Sequence, residues 1–253
     1  MVDHQFADAQ LAALYDRFHP WDARGDFAFY LPRLLAARSV LDVGCGTGTL
    51  LHRAREAGHD GRLVGLDPAA GMLALARRRE DVEWVRGDLD CLDGRREFDL
   101  VVMTGHAFQV LLTDDEMRGA LAAVRELLTD EGYFAFETRN PAARAWELWT
   151  PEHAVRTLDE RGSEVTMAHR VDLPVVGETV SFTTTYTSPD WPRPQTSRST
   201  LRFLDAPTLD RLLAEAGLAV TERYGDFHGG PFTPEGPEPS PEIVTLARRA
   251  APR

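Results

Sequence analysis

The run Val40 to Leu50, VLDVGCGTGTL, constrains this chain more than any other stretch. It reads as a buried strand, Val40 to Val43, turning abruptly into a helix that starts near Thr49. Three glycines, Gly44, Gly46 and Gly48, fall in the turn. Glycine takes dihedrals that a Cβ forbids and lets a ligand approach the main chain. The first N–H groups of a helix have no partner within it, so they face whatever sits at the turn. Such a turn holds a polar cofactor at the carboxyl end of a strand.

The spacing separates two kinds of cofactor. The dinucleotide fingerprint is G-x-G-x-x-G, whose third glycine packs helix on strand. Counting from Gly44, that place is Thr49, which speaks against a nicotinamide-dependent oxidoreductase. The order here is an acid followed by alternating glycines: Asp42, Gly44, Gly46, Gly48.

Length and charge bound the rest. A chain of 253 residues, 43% of them hydrophobic, suits one α/β domain with an insertion, or two small domains. A formal net charge of −12 repels phosphate backbones, so no nucleic-acid partner is expected. Two cysteines, Cys45 and Cys91, make neither a disulfide framework nor a metal cluster. No apolar run approaches the ~18 residues of a membrane span. The first residues, MVDHQFADAQ, lack the apolar core of a signal peptide. A cytoplasmic protein without membrane attachment is expected.

Along the chain, residues 8–18 and Phe27 to Leu35 read as amphipathic helices. Thr49 to Ala57 is a helix stopped by Gly58, Leu63 to Asp67 a strand, and Pro68 to Arg79 a helix with Pro68 in its first turn. Val82 to Asp88 and Phe98 to Gly105 are strands. Asp114 to Leu128 is a helix capped by Thr113, and Gly132 to Thr138 a fifth strand. Alternating strands and helices imply a parallel sheet covered on both faces, with the strands' carboxyl ends along one edge. From Trp146 the period becomes two, in four β-branched segments that read as an antiparallel β insertion. Ala206 to Ala216 is a helix, followed by two strands separated by a Pro- and Gly-rich loop that composition marks as mobile. The expected organisation is therefore 1–145, N-terminal helices and core; 146–204, the insertion; and 205–253, a helix and strands that complete the core sheet.

With these elements placed, residues 39–138 resemble the core of a class I S-adenosylmethionine (SAM) methyltransferase of the small-molecule type, and the tail resembles its closing strand hairpin. The resemblance implies a Rossmann-like seven-stranded sheet, last strand antiparallel, with helices on both faces. It implies SAM as cofactor and S-adenosylhomocysteine (SAH) as product. On matching positions it assigns Asp42 to the SAM amino group, and Gly44 and Gly46 to close main-chain contact with the methionine portion. Asp67 falls to the ribose hydroxyls, Pro68 and Met72 to the adenine face, and Asp88 with the Leu89 N–H to the adenine edge. Thr104 and Gly105 line the sulfonium end.

Methyl transfer from a sulfonium needs alignment and exclusion of water, and only sometimes a base. His106, after the fourth strand, is the candidate base. Tyr15 resembles a tyrosine that closes over the cofactor. His169, in the insertion, is a further candidate to face the pocket, and Arg139, just past the fifth strand, to meet an acidic substrate. Trp146, Trp149, Phe182, Tyr186 and Trp191 either roof an apolar pocket or form the insertion's own core. After the fourth strand stands TGHAFQ, without the Asn/Asp-Pro-Pro-aromatic tetrad of adenine or glutamine amino-group methyltransferases. The expectation is transfer to an oxygen or nitrogen of a small metabolite. A non-catalytic SAM-binding protein is the alternative. The methyl acceptor and the oligomeric state are not legible.

Overall fold

The computed structural model describes residues 2–251. Two sheets organise the chain. The larger has seven strands, and its parallel part contains β1 (Ser39–Val43), β2 (Arg62–Asp67), β3 (Glu83–Arg86), β4 (Phe98–Met103) and β5 (Leu128–Arg139). The smaller is an antiparallel meander of β6 (Val155–Leu158), β7 (Glu164–Val171), β8 (Thr179–Thr187) and β9 (Gln195–Arg202). The chain then returns to the first sheet through β10 (Leu218–Tyr224) and β11 (Glu242–Arg249). The order in the large sheet is β10-β11-β5-β4-β1-β2-β3, and β11 runs antiparallel to β5. This is the expected Rossmann-like sheet with its last strand reversed. The order of the parallel strands turns around at β1, which lies between β2 and β4, so the crevice for a ligand opens at the carboxyl end of β1.

The central strands are apolar because both faces are covered. On one face Leu41, Val101, Phe134 and Phe136 pack with Met117, Leu121 and Val124 of the helix Asp114–Leu127 and with Leu209, Leu212 and Leu213 of the helix Ala206–Glu215. On the other, Val40, Leu63, Leu100 and Val102 meet Phe27, Tyr30 and Leu34 of the helix Gly25–Ala36 and Leu50, Leu51 and Ala54 of the helix Thr49–Glu56. Alternate residues of one strand thus serve opposite layers. The start of the helix Asp114–Leu127 is fixed by a capping box between Thr113 and Glu116, as the Thr113 cap anticipates.

Two expectations are corrected. The helix after β2 spans Ala70–Ala76 and does not include Pro68. The reason is local: Asp67 Oδ1 accepts from the Ala69 N–H at 2.7 Å, which holds Ala69 extended and delays the first turn. The Pro- and Gly-rich loop is also pinned. Asn140 Nδ2, at the end of β5, donates to the carbonyls of Thr233, Pro234 and Ser240.

The helices His4–Ala7 and Ala9–Phe18 bridge the two sheets. Leu11 and Leu14 pack with Val165, Met167 and Tyr186 of the small sheet. Ala12 packs with Ala69 and Met72 of the helix that follows β2. Among the described residues no helix is long and apolar enough to cross a membrane, and no cluster of side chains suits a metal ion.

Candidate functional site

The carboxyl ends of β1 to β5 gather the turn Gly44–Gly48, Asp67, Asp88, Thr104 to His106 and Arg139 along one edge of the large sheet. The turn has the geometry that only glycine takes easily: Gly44, Gly46 and Gly48 stand at φ +77°, +57° and +77°. A Cβ on Gly44 would lie 2.9 Å from the Ala107 Cβ, so the turn and the loop after β4 touch there. A Cβ on Gly46 would meet nothing within 4 Å, so this main chain faces open space.

Asp42 ends 1% exposed, and its Oδ1 has no hydrogen-bond partner. Burial, helped by the nearby charge of Asp67, pushes its carboxyl up to about 7. A buried, unsatisfied carboxylate oxygen costs stability unless something donates to it. It lies two residues before Gly44, on the strand that leads into the glycine turn. An amino group such as that of SAM is a donor of the kind this oxygen lacks.

Asp67 does a second task that its spacing does not reveal. Its Oδ2 accepts from the Gly46 N–H at 2.8 Å while its Oδ1 holds Ala69. It therefore clamps the glycine turn to β2. A carboxylate has about four acceptor positions, and these two bonds leave the others for vicinal hydroxyls. Burial raises its pKa, and the two main-chain donors work in the opposite direction.

Asp88 is exposed at the start of a 3₁₀ turn, Leu89–Cys91, and its side chain makes no cap. Its carboxylate faces outward beside the buried Leu89. Pro68 is exposed at the same edge, and Thr104 is buried at the end of β4. Met72, by contrast, is 2% exposed and packed among Ala12 and Ala69 with Phe6 and Tyr15 against it. Protein already covers it, which is the environment of a helix-core methionine.

Tyr15 lies over the same edge. A Cβ on Gly105 would stand 3.2 Å from Arg24 Nη2 and 4.0 Å from the Tyr15 hydroxyl. Tyr15 and Arg24 are thus neighbours above the loop that follows β4. The helix bearing Tyr15 is tied to the glycine turn, because Thr47 Oγ1 donates to Asp16 at 2.7 Å. Arg24 forms a two-pronged pair with Asp26.

His106 is held on three sides. Gly105 and His106 both take left-handed backbone, at φ +65° and +64°, which turns the chain sharply after β4. The His106 N–H donates to Glu137 Oε1 at 2.8 Å, and Tyr30 donates to Glu137 Oε2 at 2.5 Å. The ring Nε2 lies 2.9 Å from Glu242 Oε2, at the start of β11. Burial pushes Glu242 up to about 8 and the imidazole down, so at neutral pH they meet as a neutral hydrogen bond rather than an ion pair. Burial likewise raises Glu137 to about 8.

The small sheet brings further groups to this edge. His169 Nδ1 pairs with Thr184 Oγ1 at 3.0 Å, and its ring meets Phe182 edge-on. Arg139 lies over the ring of Trp149, which packs in turn on Phe182. Trp146 packs on Phe203, whereas Tyr186 joins Leu11 and Leu14. Burial, reinforced by the charge of Arg24, pushes His19 down to about 4. Sequence reasoning missed Arg24, Gln109, Glu137 and Glu242. Glu137 left a trace, as an acid inside the apolar segment FAFET. Glu242 left none, because its partner lies on a different strand.

Comparison with known proteins agrees with this geometry. Residues 40–132 match the family model described as a methyltransferase domain. The CcbJ methyltransferase from Streptomyces caelestis superposes with a TM-score of 0.75 at 26% identity, over 98% of each chain. CalS10 from Micromonospora echinaspora, an amino pentose methyltransferase solved with SAM bound, gives 0.66 at 25% identity, over 90% of this chain and 91% of its own. The cypemycin N-terminal methyltransferase of a Streptomyces species is 28% identical over 233 residues, 86% of either chain. Three other curated methyltransferases are matched over 43%, 44% and 48% of their own length, so there the likeness spans less than half of the relative.

Proposed function

The chain belongs to the class I SAM-dependent methyltransferases, and from that premise we propose that it moves a methyl group from SAM to a nitrogen or oxygen of a small-molecule metabolite. The observation that carries this reading is the orphaned Oδ1 of Asp42 beside three left-handed glycines. When bound, SAM supplies a methyl group made electrophilic by its sulfonium sulfur.

The chain's own residues do the rest. Asp42 accepts from the cofactor's amino group, and Gly44 and Gly46 admit its methionine portion to the main chain. Asp67 uses its remaining lone pairs for the ribose. Asp88 and the Leu89 N–H serve the adenine edge, with Pro68 beside it. Met72 supports that wall from beneath the first long helix. Thr104 and Gly105 line the reacting end, under Tyr15 and Arg24. With Nε2 committed to Glu242, the Nδ1 of His106 is the ring nitrogen left for the acceptor's proton. A proton gained there charges the imidazole, while its Nε2–H stays on Glu242, whose carboxyl group burial keeps neutral at neutral pH and which therefore orients the ring. The small sheet, with Trp149 and Phe182, closes the acceptor side and limits water.

The acceptor atom is narrowed by analogy. The cypemycin relative is an N-terminal methyltransferase and CalS10 is an amino pentose methyltransferase, which favours an amine. The test is transfer of labelled methyl from SAM to a panel of small amines and alcohols. Label on an amine supports the proposal in its favoured form. Binding of SAM without transfer to any member of a broad panel favours the non-catalytic alternative.

A further inference from the structure

We propose that the acceptor carries an oxyanion, a carboxylate or a phosphate, and that Arg139 at the end of β5 binds it. This rests on the methyltransferase reading and names the acceptor class for the same crevice.

Arg139 is held by one neutral group. Its main-chain N–H and its Nη1 both donate to Gln109 Oε1, at 3.3 and 3.0 Å. Gln109 is fully buried, and its Nε2 donates to the Arg202 carbonyl at 3.0 Å, which fixes which way its amide points. Among the described residues no carboxylate lies within ion-pair distance of the Arg139 guanidinium. Other arginines with little exposure are matched: Arg24 has Asp26, and Arg202 has Asp114 and Glu178. The acids nearest in the fold are committed elsewhere. Glu242 is bonded to His106, and Glu137 to Tyr30 and the His106 N–H.

A half-buried cation with no carboxylate in ion-pair distance is costly, and desolvation lowers the guanidinium's pKa. Glu242 and Glu137 act on it from beyond ion-pair distance, and burial outweighs them. Trp149 lies with its ring centroid 5.1 Å from Cζ. His19, His106 and His169 all feel the Arg139 charge, which adds to burial in holding them uncharged. The guanidinium has five donors in a planar fork, and Gln109 takes one of them. The others are placed to receive two oxygens of one carboxylate or phosphate.

The test needs no knowledge of the natural acceptor. The imidazole signals of the SAH-saturated protein are followed by NMR during titration with benzoate, phenyl phosphate and uncharged benzamide. At least one of the two anions should bind about tenfold more tightly than benzamide, and the tighter one identifies carboxylate or phosphate. The bound anion should also raise the pKa of the neighbouring histidines. Arg139→Gln should bring the anions down to the level of benzamide with SAH affinity unchanged, and Arg139→Lys should keep part of the preference. Equal binding of all three compounds, or of none, overturns the proposal. So does a loss of SAH affinity in Arg139→Gln, which would give the guanidinium to the cofactor. If Arg139→Gln does not fold, the comparison of anion with amide on the natural protein decides alone. Failure to bind SAH removes the methyltransferase reading, while the same titration without SAH still reports on Arg139.

Discussion

The Nε2 of His106 lies 2.9 Å from the Oε2 of Glu242, across 136 residues of sequence. The contact joins the loop after β4 to the start of the reversed strand β11, on the far side of β5. It explains why the last strand matters to the site: β11 carries the carboxylate that orients the candidate base. Glu137, on the intervening strand, fixes the main chain of the same histidine.

His106→Asn should lower kcat for methyl transfer by about a hundredfold or more, with SAM affinity little changed. Asparagine tolerates the left-handed backbone at this position, so the loop should survive. Glu242→Gln keeps a hydrogen-bonding group on Nε2 but cannot ionise, so kcat at neutral pH should change little while the change in rate near pH 8, where the carboxyl ionises, should flatten. Steady-state kinetics with an acceptor from the amine panel checks both. An unchanged kcat in His106→Asn would remove the base from the mechanism.

SAM affinity should depend on Asp42. Its carboxyl stands at about 7 without ligand, and a protonated acid is a poor acceptor for an ammonium. Affinity should therefore rise with pH up to about 7, by at most about tenfold per unit, and level off above. Asp42→Asn should weaken binding and flatten that slope. Calorimetry across this range reads both effects.

The same raised carboxyls make the ligand-free protein less stable in base. Asp42, Glu137 and Glu242 hold protons in the folded state that the unfolded chain releases at ordinary carboxylate pH. Stability from these groups is present below their unfolded pKa and is lost as pH rises through about 7 to 8. Melting temperature should fall from mildly acidic to mildly basic buffer, and Glu137→Gln should reduce the fall.

Gly71→Ala has an unusual sign. In an open helix this change stabilises by up to about 1 kcal/mol. Here the new Cβ would stand 2.7 and 2.9 Å from the main-chain carbonyls of Phe6 and Ala7, which cannot swing aside as a side chain would. The variant should melt lower and bind SAM more weakly, because the helix with Tyr15 and Asp16 must lift from the glycine turn. A higher melting temperature with unaltered affinity would contradict the role of these helices as a cover.

The sheet, its reversed last strand and the glycine turn were legible because each has a local signature: apolar runs, turn residues and the Asp-x-Gly pattern from Asp42 to Gly48. The small sheet was legible from its period of two. What escaped depends on contacts that no spacing encodes. Asp67 showed its place at a strand end but not its clamp on Gly46. Met72 looked like a cofactor wall, and its burial under Ala12 comes from a helix far away in sequence. Arg24 and Glu242 reach the site only once the N-terminal helices and β11 are folded against it. The loop before β11 looked free because its composition is that of a linker, yet three of its carbonyls are taken by Asn140.

Calorimetric titration of the purified protein with SAH tests the central claim most directly. One saturable site per chain is expected, weakened in Asp88→Ala, whose exposed side chain has only a long contact from the Cys91 thiol within the fold. No binding at millimolar SAH would contradict the cofactor site built from Asp42, Asp67 and the glycine turn.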